Sequence, residues 1–199
     1  MSLNQNRVQI CQSGNFFNYI SIMKPALTIV IFLFCLTAFS QSERELVNNF
    51  VKGDNNIIYW QKITETELSH AEMLDAVIES GFFKDIEVTG NKVICVFRPY
   101  KINYEQYGYT LMEATSFITT NLLTATVIFE LGNRRYRTTI KNIQFIQNTE
   151  QGLGVVSPLE YHVLSRFQEM KFPYFKNGSD ILDKDFTIKT TLKLDNEEW

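Results

Sequence analysis

Histidine and cysteine are scarce in this chain, and common catalytic and nucleotide-binding motifs are missing from its sequence. It has two histidines, His70 and His162, and neither stands at a metal-site spacing from another histidine, a cysteine or an acidic residue. The sequence has no G-x-S-x-G segment, glycine-rich phosphate loop or Walker lysine, which are the common signatures of serine hydrolases and nucleotide-binding proteins. We therefore predict no metal site, no cofactor and no assignable catalytic residue. Whether the chain is an enzyme stays open, with no motif in its favour.

Cysteine is limited to three residues, and Cys95 alone lies beyond the first 40 positions. One cysteine cannot form an internal disulfide, so the stability of that part must come from its hydrophobic core. The composition permits such a core, because 45% of the residues are apolar and the chain has 16 Phe, 9 Tyr and 2 Trp. A length of 199 residues fits one domain with a processed leader.

An apolar run near the start is short for a membrane span. Residues 26–39 hold no charged side chain and follow Lys24, which is the order of the basic and apolar regions of a secretion signal. Small residues precede Gln41, and we predict cleavage between Ser40 and Gln41. A membrane anchor is the alternative, but a spanning helix needs about 20 apolar residues. We therefore predict an exported protein, periplasmic or associated with the cell envelope, with no membrane span after signal cleavage.

These features divide the chain into three parts. Residues 1–22 lack acidic residues and a helical repeat, and they are predicted to be a non-native or extended N-terminus. Residues 23–40 are the predicted signal peptide, and whether translation starts at Met23 is left open. Residues 41–199 are predicted to form a single α+β domain, of which 56–146 is the best-defined part.

Strand and helix signals follow the leader. Residues 56–64 are rich in β-branched and aromatic side chains and are predicted to be the first strand. Ser69 and Glu72 fit a capping box, which predicts a helix over 70–80. Gly81 then suits the left-handed conformation that follows many helix ends.

A Gly-Asn pair at 90–91 separates two strand-like runs, which is typical of a two-residue hairpin turn. Such a turn pairs Val88 with Val93. It also places Cys95 on the face of the strand that points into the core.

A second Gly-Asn pair, at 132–133, predicts another hairpin with a two-residue turn. This turn pairs Leu131 with Arg134 and Glu130 with Arg135. One face of the hairpin is predicted to be buried, and its residues are Ala125, Val127, Phe129, Tyr136 and Ile140.

The last third of the sequence has weaker signals. Residues 157–160 allow a capping box at the start of a short helix. A further helix is predicted over 180–186, with 171–179 as its linker and an alternating strand over 187–194. Together the elements predict an α+β fold, which is a curved, mainly antiparallel sheet with helices packed on one face.

The segments VIFELGNRRYRTTIKNI at 127–143 and YEQYGY at 104–109 resemble an uncharacterised family of exported Bacteroidota proteins. That family is described as a domain of unknown function with a TBP-like fold, and the likeness covers roughly residues 57–145. The resemblance implies a curved antiparallel sheet with helices on one side. It implies no catalytic residue, because the family has no established activity. The shared name with a DNA-binding protein is an analogy of fold only.

A basic group on the second hairpin is one candidate binding site. Arg135, Arg137 and Lys141 are predicted to share a strand face, which would suit a phosphate or an anionic lipid. A solvated strand face is the favoured alternative, because Glu130 is expected opposite Arg135 and the chain beyond the leader is net acidic. We therefore do not expect nucleic acid as the partner.

A cluster of tyrosines over 100–109 is the second candidate. Tyr104, Tyr107 and Tyr109 would line a groove for a sugar ring or a peptide, because tyrosine offers a flat apolar face with a polar tip. The alternative is that these rings cover the open face of the sheet. The partner would be an unknown envelope protein or a glycan.

Three carboxylates on the predicted helix are the third candidate. Glu72, Asp75 and Glu79 recur at helical spacing, so two of them would suit an acid and base pair. The solvated face of an amphipathic helix has the same pattern. We favour a non-catalytic binding or interaction module of the cell envelope. The alternatives are a small envelope hydrolase that uses carboxylates, and anion or nucleic-acid binding through the basic strand face.

Overall fold

A computed structural model describes residues 44–149, 152–167, 169 and 171–193 of the chain. The predicted leader, its cleavage position and the N-terminal segment 1–22 lie outside the described residues and stay predictions. None of the helices within the described residues combines the length and the apolar character that crossing a membrane requires.

Nine antiparallel strands in the described residues form one sheet. They are β1 (Arg44–Val47), β2 (Phe50–Lys52), β3 (Ile58–Glu65), β4 (Phe83–Thr89), β5 (Lys92–Phe97), β6 (Tyr100–Lys101), β7 (Asn121–Leu131), β8 (Arg135–Thr149) and β9 (Gly152–Pro158). Their hydrogen-bonded order is β1-β2-β3-β8-β7-β5-β4, with β6 beside β7 and β9 beside β8. The two longest strands, β7 and β8, therefore form the centre of the sheet.

Helices cover one face of this sheet. In the described residues they are α1 (His70–Glu79), α2 (Ser116–Thr120), α3 (Leu159–Val163) and α4 (Phe172–Thr190), with single 3₁₀ turns at Asp54–Asn56 and Glu105–Tyr107. Every second residue of β7 from Leu123 to Leu131 is buried, and these residues join buried side chains of all four helices in one hydrophobic cluster. The β7 residues of the opposite face are half-buried. The predicted α+β class, an antiparallel sheet with helices on one face, is confirmed.

The capping box at the start of α1 is confirmed. The backbone N–H of Glu72 donates to the hydroxyl oxygen of Ser69 at 3.3 Å, and the Glu72 carboxylate accepts from the Ser69 N–H at 2.7 Å. Gly81 follows the helix with a φ of +69°, as the sequence predicts. Local side-chain chemistry was therefore sufficient to place this helix.

The β4–β5 hairpin also follows its prediction near the turn. Val88 lies opposite Val93, and Gly90 has a φ of +59°. Cys95 is fully buried, and this burial raises the pKa of its thiol to about 12. The thiol therefore stays protonated and packs as a small apolar side chain.

The predicted register of the β7–β8 hairpin is wrong by two residues. Leu131 lies opposite Tyr136 and Glu130 opposite Arg137, so four residues rather than two separate the closing pair. Arg134 adopts a left-handed conformation with a φ of +53°. The predicted two-residue turn placed Arg134 in the strand instead. A slip of two residues keeps every side chain on its predicted face, and all five predicted core residues are buried.

The segment predicted as the first strand is the third strand of the sheet. A hairpin of β1 and β2 precedes it, and the turn residues Asn48 and Asn49 have φ values of +50° and +64°. Two positive φ values are those of a type I′ turn, and asparagine tolerates them better than most residues. The Asn-Asn pair is therefore the sequence signal for this hairpin.

Hydrogen bonds tie the β1–β2 turn to α4. The amide nitrogen of Asn48 donates to the Ser179 hydroxyl at 3.2 Å, and that of Asn49 donates to Asp183 Oδ1 at 2.7 Å. The indole N–H of Trp60 donates to the same carboxylate oxygen at 2.8 Å. Three hydrogen bonds thus connect the first strands of the sheet to the late helix α4.

The helix predicted over 180–186 is present, but the linker and the strand predicted on either side of it are wrong, because α4 is one longer continuous helix. It replaces the expected linker over 171–179, and it extends through the first half of the strand expected over 187–194. Buried Phe175, Leu182 and Phe186 recur after seven and four residues, which is the spacing of one helix face. The core contact of this face therefore overrides the weak local propensity of the segment.

Gly178 allows α4 to approach α2 closely. A Cβ atom at this position would lie 3.3 Å from side-chain atoms of both Phe117 and Thr115. Glycine inside a helix costs about 1 kcal/mol relative to alanine. The residue therefore serves the packing of the two helices rather than the stability of α4 alone.

The short helix α3 is present without its predicted capping box. Its N-cap residue is Pro158, and no side chain caps it. The two side chains of the predicted box have other partners: the Ser157 hydroxyl lies 2.7 Å from Nε2 of His162, and the Glu160 carboxylate accepts from the Ile58 N–H at 2.8 Å. Both side chains connect α3 to the sheet instead.

Candidate functional site

The tyrosine segment, residues 100–109, lies against α4 and surrounds a buried carboxylate. Tyr100 and Tyr107 donate hydroxyl hydrogen bonds to the two carboxylate oxygens of Asp185, at 2.5 and 2.9 Å, and Asp185 is 0% exposed. Lys189 lies 2.8 Å from Asp185 and 4.5 Å from the centre of the Tyr100 ring. Burial, followed by the charge of Asp185, raises the pKa of both tyrosines, so both phenols keep the protons that they donate.

The other tyrosines of this segment also have internal contacts. Tyr109 donates to Asp180 at 2.6 Å, and this hydrogen bond, followed by burial, raises the pKa of Tyr109 to about 12. Lys184 pairs with Asp180 at 2.6 Å, and Tyr104 packs against the hydrophobic cluster. Of the three predicted binding tyrosines, Tyr107 and Tyr109 thus donate hydrogen bonds to α4 and Tyr104 packs on the core, and ligand binding by them stays a prediction.

A carboxylate interrupts the predicted basic face of β8. Arg135, Arg137 and Lys141 are all exposed, as the face assignment requires. Nε of Arg137 lies 2.6 Å from Glu130, whose carboxylate also pairs with Lys92 at 3.3 Å. The hydrogen bond from Arg137 lowers the pKa of Glu130, with a further contribution from Lys92. The three cations share a face, but one of them is neutralised there, and anion binding stays a prediction.

The three carboxylates of α1 do not converge on one cavity. Hydrogen bonds from the backbone and the hydroxyl of Ser69 lower the pKa of Glu72, so this carboxylate is an ionised helix cap. Glu72 alone of the three lines a surface cavity of about 550 Å³, together with His70. Asp75 and Glu79 are exposed. The arrangement gives the predicted acid and base pair no shared site.

A different region has the shape of a binding site. We call it the β9–α3 corner and define it as residues 155–166. Two clefts of about 970 and about 550 Å³ open there, and Pro158, Tyr161 and His162 line both of them. The larger cleft continues past Arg166 and Lys171, and the smaller one runs along β9 towards the start of β7. One short helix therefore separates two concavities.

His162 is held rigidly between the two clefts. Its Nε2 lies 2.7 Å from the Ser157 hydroxyl, and its ring stacks on Phe117 at a centroid distance of 4.8 Å. Burial, followed by the positive charge of Lys171, lowers the pKa of His162, so the ring is neutral at neutral pH. No carboxylate in the described residues bonds the ring and orients it, as a catalytic triad would require. Ser157 and His162 together line the smaller cleft.

Apolar side chains at this corner remain in solvent. Val155 is 73% exposed, Val156 50%, Tyr161 73% and the nearby Phe167 85%. Exposed apolar groups beside a concavity are typical of contact surfaces. The sequence analysis considered His162 only as a metal ligand and assigned no role to the valines. The available signal was the β-branched pair Val155 and Val156, in an uncharged segment that ends at Pro158.

Metal binding has no support within the described chain. Its His, Cys, Asp and Glu side chains form no group of three that could hold an ion.

Comparisons with known proteins give two similar structures. No protein-family model and no curated protein matches the sequence. A TBP-like protein from Parabacteroides distasonis ATCC 8503 has a TM-score of 0.43 and 9% identity, covering 71% of this chain and 97% of that one. A DUF4468 family protein from Bacteroides ovatus ATCC 8483 has a TM-score of 0.41 and 8% identity, covering 77% and 92%. Both descriptions agree with the resemblance to an uncharacterised Bacteroidota domain of unknown function with a TBP-like fold.

Proposed function

We propose that the chain is a non-catalytic binding module of the cell envelope and that the β9–α3 corner is its binding surface. The observation that carries this proposal is the position of Tyr161, which is largely exposed and lines two adjoining clefts. An aromatic ring with one apolar face in solvent gains contact area on binding at a low cost in side-chain entropy.

The described side chains favour binding over the alternatives. Glu72 is used as a helix cap and its pKa is lowered, which is the opposite of what the general acid of a hydrolase needs. Arg137 is paired with Glu130, so the basic strand face has fewer free cations for an anion. The exposed apolar groups of the corner have no comparable internal use.

Site-specific photocrosslinking in native cells tests the proposal. A photoreactive phenylalanine analogue replaces Tyr161 in one variant and Met112 in the control, because Met112 is 98% exposed and is not among the residues that line either corner cleft. We expect a defined adduct from position 161 and none from position 112. The captured molecule, once purified, should bind the Tyr161→Ala variant about tenfold more weakly than the Met112→Ala variant.

Equal crosslinking at the two positions would contradict the proposal, as would undiminished binding by Tyr161→Ala. Both substitutions replace exposed side chains, so we expect the free energy of unfolding to change by less than about 0.5 kcal/mol. Urea unfolding of both variants checks that a loss of binding is not a loss of folding.

We also propose that the mature chain starts at Gln41 in the envelope, from the order of basic, apolar and small residues before it. Intact-mass analysis of the protein recovered from envelope fractions of its native cells tests this. A mass that begins at Gln41 supports export, and an uncut N-terminus would contradict it.

A further inference from the structure

We infer that the occupant of the β9–α3 corner is an extended, acidic segment of a partner protein that adds to the sheet as a strand beside β9. This inference rests on the proposed function, because it names the partner of the same surface. Three observations carry it: the orientation of the β9 backbone, the absence of charge on this strand and the cations of the larger cleft.

The backbone of β9 offers hydrogen-bonding groups at its outer edge. Pro158 lies opposite Gln144 and cannot donate a hydrogen bond, so this pair must be a non-hydrogen-bonded one. Because the two kinds of pair alternate, Ser157 and Phe145 exchange both hydrogen bonds. The next residue, Val156, therefore directs its N–H and its C=O away from β8.

The outer side of β9 is open within the described chain. Among the described residues β9 pairs with β8 alone. Unpaired strand edges accept a further strand, and natural proteins usually protect such edges with charges or bulges. The Val156 groups are therefore positioned for an incoming strand, and the alternating side chains of that strand would meet the clefts.

The β4 edge of the sheet shows such protection. Three charged residues, Lys84, Asp85 and Glu87, lie within four positions of β4. The pairing of β4 with β5 also shifts register at this point, where Asp85 has a φ of +54°. β9 also has a register shift, but its sequence GLGVVSP contains no charged residue. Only one of these two edges thus repels an incoming strand.

The charges of the larger cleft select the partner. Arg166 and Lys171 line it, and the Glu160 carboxylate in the same lining already accepts a hydrogen bond from the Ile58 N–H. Because two cations face one carboxylate in this lining, the cleft has a surplus of positive charge that complements an acidic side chain. A second copy of this chain would bring an uncharged β9 and the same two cations, so like charges would meet.

Peptide selection followed by matched variants tests the inference. Random dodecapeptides displayed on phage are selected on the purified full chain, and fluorescently labelled winners are measured by anisotropy. We expect enriched peptides to alternate apolar residues and to carry Asp or Glu. Lys171→Glu should weaken their binding about tenfold.

Two substitutions at one position isolate the backbone contribution. Val156→Pro removes the outward N–H, whereas Val156→Thr keeps it together with the β-branched shape. We expect binding to weaken about tenfold in Val156→Pro, because a buried acceptor of the peptide loses its donor. Val156→Thr should change binding by less than about twofold. If Val156→Pro does not fold, hydrogen exchange of the wild-type Val156 amide should slow when peptide binds, and unchanged exchange would overturn the inference.

The outcomes separate the inference from the proposed function. Peptides that lose binding to Tyr161→Ala but bind both Val156 variants equally would overturn strand addition and leave the corner as the binding surface. Peptides that bind Tyr161→Ala as tightly as wild type would contradict both. A wild-type dimer in sedimentation that Val156→Pro converts to a monomer would identify a second copy as the occupant and would also overturn the inference.

Discussion

The tyrosine segment and the β9–α3 corner both contain aromatic side chains, but the two regions use them in opposite ways. In the segment, Tyr100, Tyr107 and Tyr109 direct their hydroxyls to carboxylates of α4. Tyr161 of the corner and the nearby Phe167 are mostly in solvent. A high density of tyrosine in the sequence therefore marks internal packing here, and the exposed surface arises where aromatic residues are sparse.

Removal of the Asp185 carboxylate, the shared partner of the tyrosine segment, should cause the largest loss in the free energy of unfolding. Asp185→Ala leaves two phenols and the Lys189 ammonium without their shared partner, so we expect a loss of about 3–5 kcal/mol in the free energy of unfolding. The control is Lys184→Ala, which removes an exposed pair with Asp180 and should cost less than about 1 kcal/mol. Urea unfolding measures both, and equal losses would mean that Asp185 does not anchor the segment.

A single phenol hydroxyl should have an intermediate effect. Tyr107→Phe leaves one oxygen of the buried Asp185 with fewer donors, and we expect a loss of about 1–3 kcal/mol. Tyr104→Phe is the matched control, because Tyr104 belongs to the same segment and no hydrogen bond of its hydroxyl occurs within the described residues; its loss should be below about 0.5 kcal/mol. Thermal and urea unfolding compare the two, and a larger loss in Tyr104→Phe would contradict the assigned contacts.

The smallest effect should come from His162 of the β9–α3 corner. Protonation of this residue should make the stability of the protein depend on pH. The folded state lowers the pKa of His162, so the unfolded chain binds the proton more readily, and stability rises with pH across this interval. This contribution is complete above the ordinary histidine pKa of about 6.5 and is lost as the pH falls through the folded value. We expect the unfolding midpoint of wild type to fall more steeply than that of His162→Gln on acidification. The control His70→Gln should follow wild type, and parallel curves for wild type and His162→Gln would refute the assignment.

Features set by near neighbours in the chain were predictable. The α1 capping box needs only Ser69 and Glu72, which are three residues apart, and the burial of Cys95 follows from strand alternation. The β7–β8 faces were correct although the register was not, because the slip introduced by Arg134 was even. Alternation predicts which face is buried, whereas register depends on the conformation of single turn residues.

Features set by distant contacts were not predictable. The partners of the tyrosine segment lie 71 to 85 residues away along the chain, and nothing local to 100–109 indicates them. The continuity of α4 depends on the core that its apolar face meets, and Gly178 within it lowers the local helix propensity. The β9–α3 corner was missed for a related reason, because an edge strand becomes recognisable only when the strand order is known.

The contact between the β1–β2 turn and α4 has a consequence for synthesis of the protein. Its hydrogen bonds join residues 131 and 134 positions apart, so the nascent chain on the ribosome must lengthen through α4 before Trp60 and the sheet around it are covered. Long sequence separation between contacting residues slows folding. We expect the chain to leave the ribosome with its sheet still uncovered, a state in which the apolar face of the sheet is exposed to holdase chaperones.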